Sequence, residues 1–430
     1  MLYSIALPRI ASLRRTLLHA CLLWPGLIMA ASPDLGQLTL GDAEALMQAN
    51  NRELRLAQAA AMGAQADVAS AGARPNPQLS LNMGVLRPAN LGSGAPWDKT
   101  ADFTYRVDQL IERGDKRGLR LKAADARLAA ARGDQGEVGR QQHLQMRQAY
   151  YDLLRTQERR RILSESAALY RKSVEVTALR VKAGDLSPSD LARLKVEALR
   201  AENDARQALA EQEKAQAALA YMIGLENEAR RLRAVDPWPR LVDPAGQETD
   251  IEQRADVKAA LARVQAAEQA RALALSLRKR DVSVGVQYEH CRAPSCSPPT
   301  DTVGFGVSIP LFIHYEYEGE VRRAEADLDA ARETLEQVRG QARAERLRTA
   351  SDLRSALEQG RRFEGGLLSE AERGSQANEF AYERGAIGLV DLLDARRTLR
   401  AVQVEAIDAR AGYAKSLTAY QASLALEDSR

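Results

Sequence analysis

Past residue 30 the chain has no run of about 18 apolar residues, so no helix of its mature part can cross a bilayer. Aromatic residues make up only 5% of the 430 positions, which with 28% charged residues points to long helices around a thin, elongated core. No Ser-His-Asp set, paired general acid and base, or phosphate-cradling glycine loop is visible, which speaks against an enzyme. No resident cofactor or metal centre is expected. Charge of one sign is missing as well: 61 basic and 58 acidic residues leave a net +3, with the signs interspersed and no nucleic-acid footprint. Proline is absent between Pro96 and Pro188, between Pro188 and Pro237, between Pro244 and Pro294, and after Pro310. Since a proline costs about 3 kcal/mol inside a helix, these Ala-, Leu-, Glu- and Arg-rich spans can be uninterrupted helices.

What is present is a sequence written twice. Val181-Lys182-Ala183-Gly184 with Asp190-Leu191 returns as Tyr382-Glu383-Arg384-Gly385 with Asp391-Leu392, at an offset of 201. Gln109-Leu110-Ile111 and Pro310-Leu311-Phe312 share that offset, and Glu53-Leu54 aligns with Asp256-Val257 at 203. A tandem duplication on this scale argues for an architectural body rather than one catalytic pocket.

Helices are expected over 41–74, 113–184, 187–224, 252–280, 316–384 and 387–428. The 113–184 span would run about 108 Å at about 1.5 Å per residue, and only lateral packing against other helices can stabilise such a length. Leu194, Ala198, Ala201, Ala205 and Ala208 recur at three- and four-residue spacing, a small-residue seam suited to coiled-coil hairpins.

The proline-bearing intervals change period from 3.6 to two. Leu79, Leu81, Met83 and Val85, then Phe103, Tyr105 and Val107, alternate with polar residues, as do Val282 to Tyr288 and Val303 to Leu311. These predict strands at 79–87, 102–111, 281–290 and 302–312. In a soluble sheet the apolar face would be core; in an outer-membrane barrel it would meet lipid. Three facts favour the barrel. Arg9, Arg14 and Arg15 precede an apolar Leu17–Ala30 stretch, a secretory signal over 1–31 that leaves repeats at 32–240 and 241–430. The strands are about ten residues long. Trp97, Tyr288, Phe312 and Tyr315 stand at or near strand ends. Cys21 offers lipidation as an alternative to cleavage, against which stand His19 and the apolar run continuing to Met29. Four strands cannot close a barrel, so several chains must pool their hairpins.

A duplicated helix-strand-strand-helix-turn-helix unit, with the G-x5-D-L turn in each copy and Val390-Asp391-Leu392-Leu393-Asp394-Ala395 after the second, resembles the TolC-like outer-membrane efflux factors. Gln109 to Arg117 is similar to the strand-to-helix signature of the cobalt-zinc-cadmium resistance subunits. The resemblance implies an α+β fold, mostly α, in which a homotrimer pools twelve strands into one barrel in outer-membrane lipid. It also implies a periplasmic tunnel that docks, through the Gly184 and Gly385 tips, with an adaptor protein and an inner-membrane RND-type pump. The cargo would be divalent heavy-metal cations, or, alternatively, drugs or organic solutes.

Further roles follow from the resemblance. Asp391 and Asp394, one helical turn apart, would ring the periplasmic mouth as a cation-attracting gate; taken alone, they read equally well as helix-capping carboxylates. Asp190 and Tyr382 match positions that lock the closed state. The family's lock arginine falls on Ile387, leaving a smaller polar network or a substitution by Arg384. Cys291 and Cys296, in an exported chain, read as a disulfide, and with His290 and His314 as the rival metal site. A periplasmic adaptor or a secreted metal-binding protein remains as an alternative. The first should carry one helical hairpin, and the second would leave most of the helical mass unexplained.

Overall fold

Each repeat begins with a helix and turns into strands where prolines enter. The computed structural model describes residues 34–84, 102–243, 250–291, 298 and 300–424. The signal segment, Val85, Trp97 and Cys296 lie outside the described residues. The first repeat runs α1 (Leu40–Asn50), α2 (Arg52–Gly72), β1 (Gln78–Gly84), β2 (Asp102–Ile111), α3 (Lys116–Lys182) and α4 (Pro188–Ile223). The second runs α5 (Ala255–Ser276), β3 (Val282–Cys291), β4 (Thr300–Ser308), α6 (Glu318–Arg362), a π turn (Phe363–Leu367), α7 (Leu368–Glu383) and α8 (Leu389–Ser423). Among the described residues no helix is long and apolar enough to cross a membrane.

Two expected helices are divided. The 41–74 span breaks at Asn51, whose extended backbone (ψ 128°) ends α1 while its side chain accepts from the Leu54 amide at 3.1 Å and so starts α2. Its amide nitrogen donates to the Met222 carbonyl at 2.9 Å, so this buried asparagine satisfies backbone groups that a continuous helix would leave unmet. The 316–384 span is interrupted at Phe363–Leu367, where Gly366 has φ 145°. The first repeat has Ser164-Glu165 at the positions equivalent to Gly365-Gly366, and α3 passes through them unbroken for 67 residues.

The helices lie side by side, α3 against α2, α4, α5 and α8, and α8 also against α6 and α7. Their apolar seams form separate clusters along the length rather than one core. Met47, Met146, Tyr150, Leu219 and Ile223 fill one; Tyr170, Leu194, Leu389, Leu392 and Leu393 fill another, close to the two hairpin tips. Lateral burial of this kind is what keeps a helix about 100 Å long in one piece.

Polar ties hold the second repeat together where the start of α5, α6 and the end of α8 meet. Arg254, with a side chain 2% exposed, donates to both oxygens of Asp256 (3.1 and 2.8 Å), to Glu345 (2.8 Å) and to the Ser423 carbonyl (3.1 Å). Burial alone would raise the Asp256 carboxyl pKa, but hydrogen bonding and attraction from Arg254 outweigh it and hold that pKa below the usual carboxylate range. Replacing Arg254 with Met strips Asp256 of its guanidinium partner and leaves Glu345 only Arg140 at 3.3 Å, and the expected loss is about 3–5 kcal/mol at neutral pH. A depressed carboxyl pKa stabilises the fold above the unfolded value and stops doing so as pH falls through the folded one. The deficit of Arg254→Met should therefore shrink below about pH 4, which thermal unfolding followed by helical circular dichroism at both pH values would read. An equal deficit at both would show that lost packing, not charge, carries the effect.

The four strands form one antiparallel sheet in the order β1-β2-β3-β4, with β2 and β3 joining the repeats. Alternation sorts their side chains. Leu79, Leu81, Tyr105, Val107, Val286, Tyr288, Val303 and Phe305 stand exposed on one face, whereas Arg106, Asp108, Gln287 and the glycines 285, 304 and 306 occupy the other. β1 and β4 are edges with no further strand among the described residues. β4 stops at Ser308, ahead of Pro310, which has no amide hydrogen to offer a ladder.

The Gln109–Arg117 motif is the joint from the sheet to the helical body. Gly114 and Asp115 take left-handed conformations (φ 81° and 57°) that turn the chain from β2 into α3. Asp281, entering β3, accepts from the Arg113 amide (2.9 Å) and from buried Lys116 (2.8 Å), while Glu112 pairs with Arg120. The second repeat makes the same joint with aromatic rings: Phe312 packs edge-on against Tyr317, and the Arg280 guanidinium lies 5.4 Å from the Phe312 centroid.

Candidate functional site

The two tips are built alike because their sequences are. Gly184 (φ 85°) and Gly385 (φ 73°) end α3 and α7 in the left-handed conformation that glycine adopts at least cost. At the first tip the Gly184 amide donates to Val181 (3.1 Å) and the Asp185 amide to Arg180 (2.9 Å); at the second, Gly385 donates to Tyr382 (3.0 Å) and Ala386 to Ala381 (2.9 Å). These are the paired bonds of a Schellman turn, repeated at the offset of 201.

The acidic residues after each tip start the next helix. Asp190 is bonded to Ser187 in both directions: its amide donates to the Ser187 hydroxyl at 3.1 Å, and that hydroxyl donates to its carboxylate at 2.9 Å. Asp391 accepts from the Gly388 amide at 3.2 Å, and glycine at the cap leaves its second oxygen free of a cap hydroxyl. Asp391 and Asp394 are both exposed and one turn apart, so the structure brings these two together on one face while Asp391 also caps. Asp190 is not brought into hydrogen bonding with Tyr382, whose ring is half-buried against the Tyr170–Leu194–Leu392 cluster. Arg384 lies over the Phe380 ring of its own hairpin, 4.2 Å from the centroid.

Ion pairs between the hairpins were not apparent from the sequence. Arg397 of α8 grips Glu197 of α4 through both oxygens (2.6 and 3.0 Å), Arg400 reaches Asp204 at 3.2 Å, and Arg396 bonds Ser173 of α3 at 3.1 Å as well as Glu379. Glu197 keeps only 8% of its side chain exposed, and the hydrogen bond from Arg397, more than the cost of burial, holds its carboxyl pKa below the usual range. The signal available was weak: three arginines within five residues of α8, and two acids seven residues apart on one face of α4.

The remaining candidates lie elsewhere. Cys291, at the end of β3, is disulfide-bonded. His290 Nδ1 stands 2.6 Å from Asp301 across the β3–β4 pair. Among the described residues no three His, Cys, Asp or Glu side chains converge as a metal-holding group.

A two-hairpin helical body carrying a sheet with one exposed apolar face defines an envelope channel subunit. The family model for outer membrane efflux proteins matches residues 45–225 and 249–425, and the chain belongs to that family. It is an outer-membrane protein. It is similar to the cobalt-zinc-cadmium resistance protein CzcC of Cupriavidus metallidurans, with 26% identity over 383 residues covering 85% of this chain and 84% of the relative. The fold matches the Campylobacter jejuni CmeC outer membrane channel with a TM-score of 0.77 at 17% identity, covering 89% of this chain and 85% of that one. It matches CusC with a TM-score of 0.72 at 19% identity, covering 90% and 92%.

Proposed function

We propose that the protein is the outer-membrane duct of a tripartite efflux system that exports divalent heavy-metal cations. The observation that carries the reading is the sheet: one face apolar and exposed, the other polar, with two edges left open among the described residues. Lipid supplies no partners for edge amides and carbonyls, so such a sheet is stable in a membrane only when copies of the chain close it. Three copies would supply twelve strands, an even number within the range of known barrels. Below the barrel the helices would line a periplasmic tunnel whose tips, at Gly184 and Gly385, meet the adaptor of an RND-type pump. Asp391 and Asp394 from each copy would ring its mouth and draw in cations, while Asp190 and Tyr382 steady the closed tips. The metal cargo rests on similarity to a resistance protein whose name states cobalt, zinc and cadmium. We pair Cys291 with Cys296 across the strand-connecting loop, since the only other cysteine, Cys21, belongs to the export segment.

Purified in detergent, the protein is expected to run at about three times the mature mass and to resist dissociation until heated. Returned to cells that lack it, it should restore growth in zinc, cobalt or cadmium. A well-folded monomer would overturn the barrel. A trimer that restores drug tolerance but not metal tolerance would overturn the cargo alone.

A further inference from the structure

The polar face of the sheet carries a positive charge where a cation duct should not want one. Arg106 projects from β2 on the face opposite the exposed apolar residues, two positions before Asp108 on the same face. The two side chains form a fork: Arg106 Nε lies 2.7 Å from Asp108 Oδ2 and Nη2 lies 2.8 Å from Oδ1, while Nη1 reaches Gln287 Oε1 on β3 at 3.3 Å. Both partners of the fork are less than a third exposed, although they stand on an open sheet.

The neighbouring strands are shaped to this fork. Arg106 is paired in register with Gln287 and, beyond it, Gly304; Asp108 is paired with Gly285 and, beyond it, Gly306. A Cβ at Gly285 would fall 2.2 Å from Asp108 Oδ1, and one at Gly306 would fall 2.9 Å from Arg106 Nη2. The guanidinium therefore lies flat across β3 and β4, in a slot that side chains would fill, instead of reaching away from the sheet. Glycine weakens a strand interior, and its use at consecutive rows beside one arginine marks a place where something must lie close to the backbone.

We propose that Asp108 is a specificity-determining residue of the duct: it pins Arg106 into the glycine slot on the barrel wall and cancels its charge, so that the lumen admits cations. The inference rests on the duct reading above, which turns this polar face inward. Asp108 acts through Arg106, as a positioning residue. Without it each copy would leave one uncompensated guanidinium free to swing into the path at the same height. Wall charges act across water over a Debye length of about 8 Å at physiological salt and about 30 Å at 0.01 M, so an unpaired ring would repel cations most in dilute salt.

The test is the reversal potential of single channels under a salt gradient for wild type, Asp108→Asn, Arg106→Gln and the double variant, with heat-modifiable gel migration to show that each assembles. Asp108→Asn should lower the cation-to-anion permeability ratio severalfold, more so in dilute salt. Arg106→Gln should raise the ratio, because it leaves three carboxylates unopposed. The double variant should return to the wild-type ratio, which a purely structural salt bridge would not do, since losing both partners would not repair the loss of one. Should Asp108→Asn fail to insert, a raised ratio in Arg106→Gln still supports the inference and an unchanged one overturns it. One ratio shared by all four proteins overturns the inference while leaving the duct intact; wild-type protein that forms no channel overturns the duct reading itself.

Discussion

Cells carrying Gly184→Val together with Gly385→Val are expected to lose metal resistance while the protein still assembles in the outer membrane. Both glycines sit at positive φ, 85° and 73°, where a left-handed conformation costs a side-chain-bearing residue about 1–2 kcal/mol and a β-branched one more. No atom lies within 4 Å of a Cβ built at either position, so the cost is one of backbone and stays at the tip. Relief would come by opening the bonds from Asp185 to Arg180 and from Ala386 to Ala381, which blunts the turn. The Tyr170–Leu194–Leu392 cluster holds the hairpins together independently of those bonds. Folding, export and trimerisation should therefore survive, and docking at the tips should not. Gly→Ala at both sites should give an intermediate phenotype. Growth in zinc or cobalt, scored beside the amount of trimer in membrane fractions, decides the matter; normal resistance in the double Val variant would place docking somewhere other than the tips.

Those same tips show why much of the fold could be read without coordinates. A left-handed helix end demands glycine and a helix start favours a carboxylate at its third position, so turn chemistry forced both copies of the repeat to keep Gly and Asp at fixed spacing. Strands were legible for an equally local reason, since alternation has period two whichever solvent the apolar face meets. Breaks were less so. Asparagine at position 51 reads as an ordinary helix residue until its amide is seen bonded to Met222, far along the chain. Gly365-Gly366 inside a helical pattern costs something but does not dictate a π turn. The grip of Arg397 on Glu197 depends on how α8 is rotated against α4, and no local rule sets that rotation. Function at the site divides the same way. Asp391 and Asp394 share a face by spacing alone, whereas the slot holding Arg106 exists only because β2, β3 and β4 pair in one particular register.

Channels carrying Glu197→Gln with Asp204→Asn are expected to open far more readily than wild type. In each chain Arg397 and Arg400 of α8 tie the second hairpin to α4 of the first, and any widening that moves one hairpin against the other must break those pairs. Charged hydrogen bonds of this kind are worth about 1.5–3 kcal/mol each, so neutralising even the better-buried Glu197 should shift the closed-to-open balance roughly 10- to 100-fold. Single-channel current in planar bilayers would report the shift as higher mean conductance, and cells would report it as sensitivity to large antibiotics that the closed duct excludes. The acid response of wild type bears on how opening is normally driven. With Arg397 as the main cause, the Glu197 carboxyl titrates below the usual range; its contribution is present above the unfolded value of about 4.3 and is lost only as pH falls through the lower folded one. Conductance of wild type should thus stay flat from about pH 7 to about pH 5 as far as Glu197 governs it, because that carboxyl stays ionised there. On the proposed duct reading, opening would then come from a partner that pulls the hairpins apart or offers Arg397 another acceptor. A steep rise in wild-type conductance on mild acidification, or unchanged current in the double variant, would show that the Glu197 and Asp204 pairs do not hold the closed state.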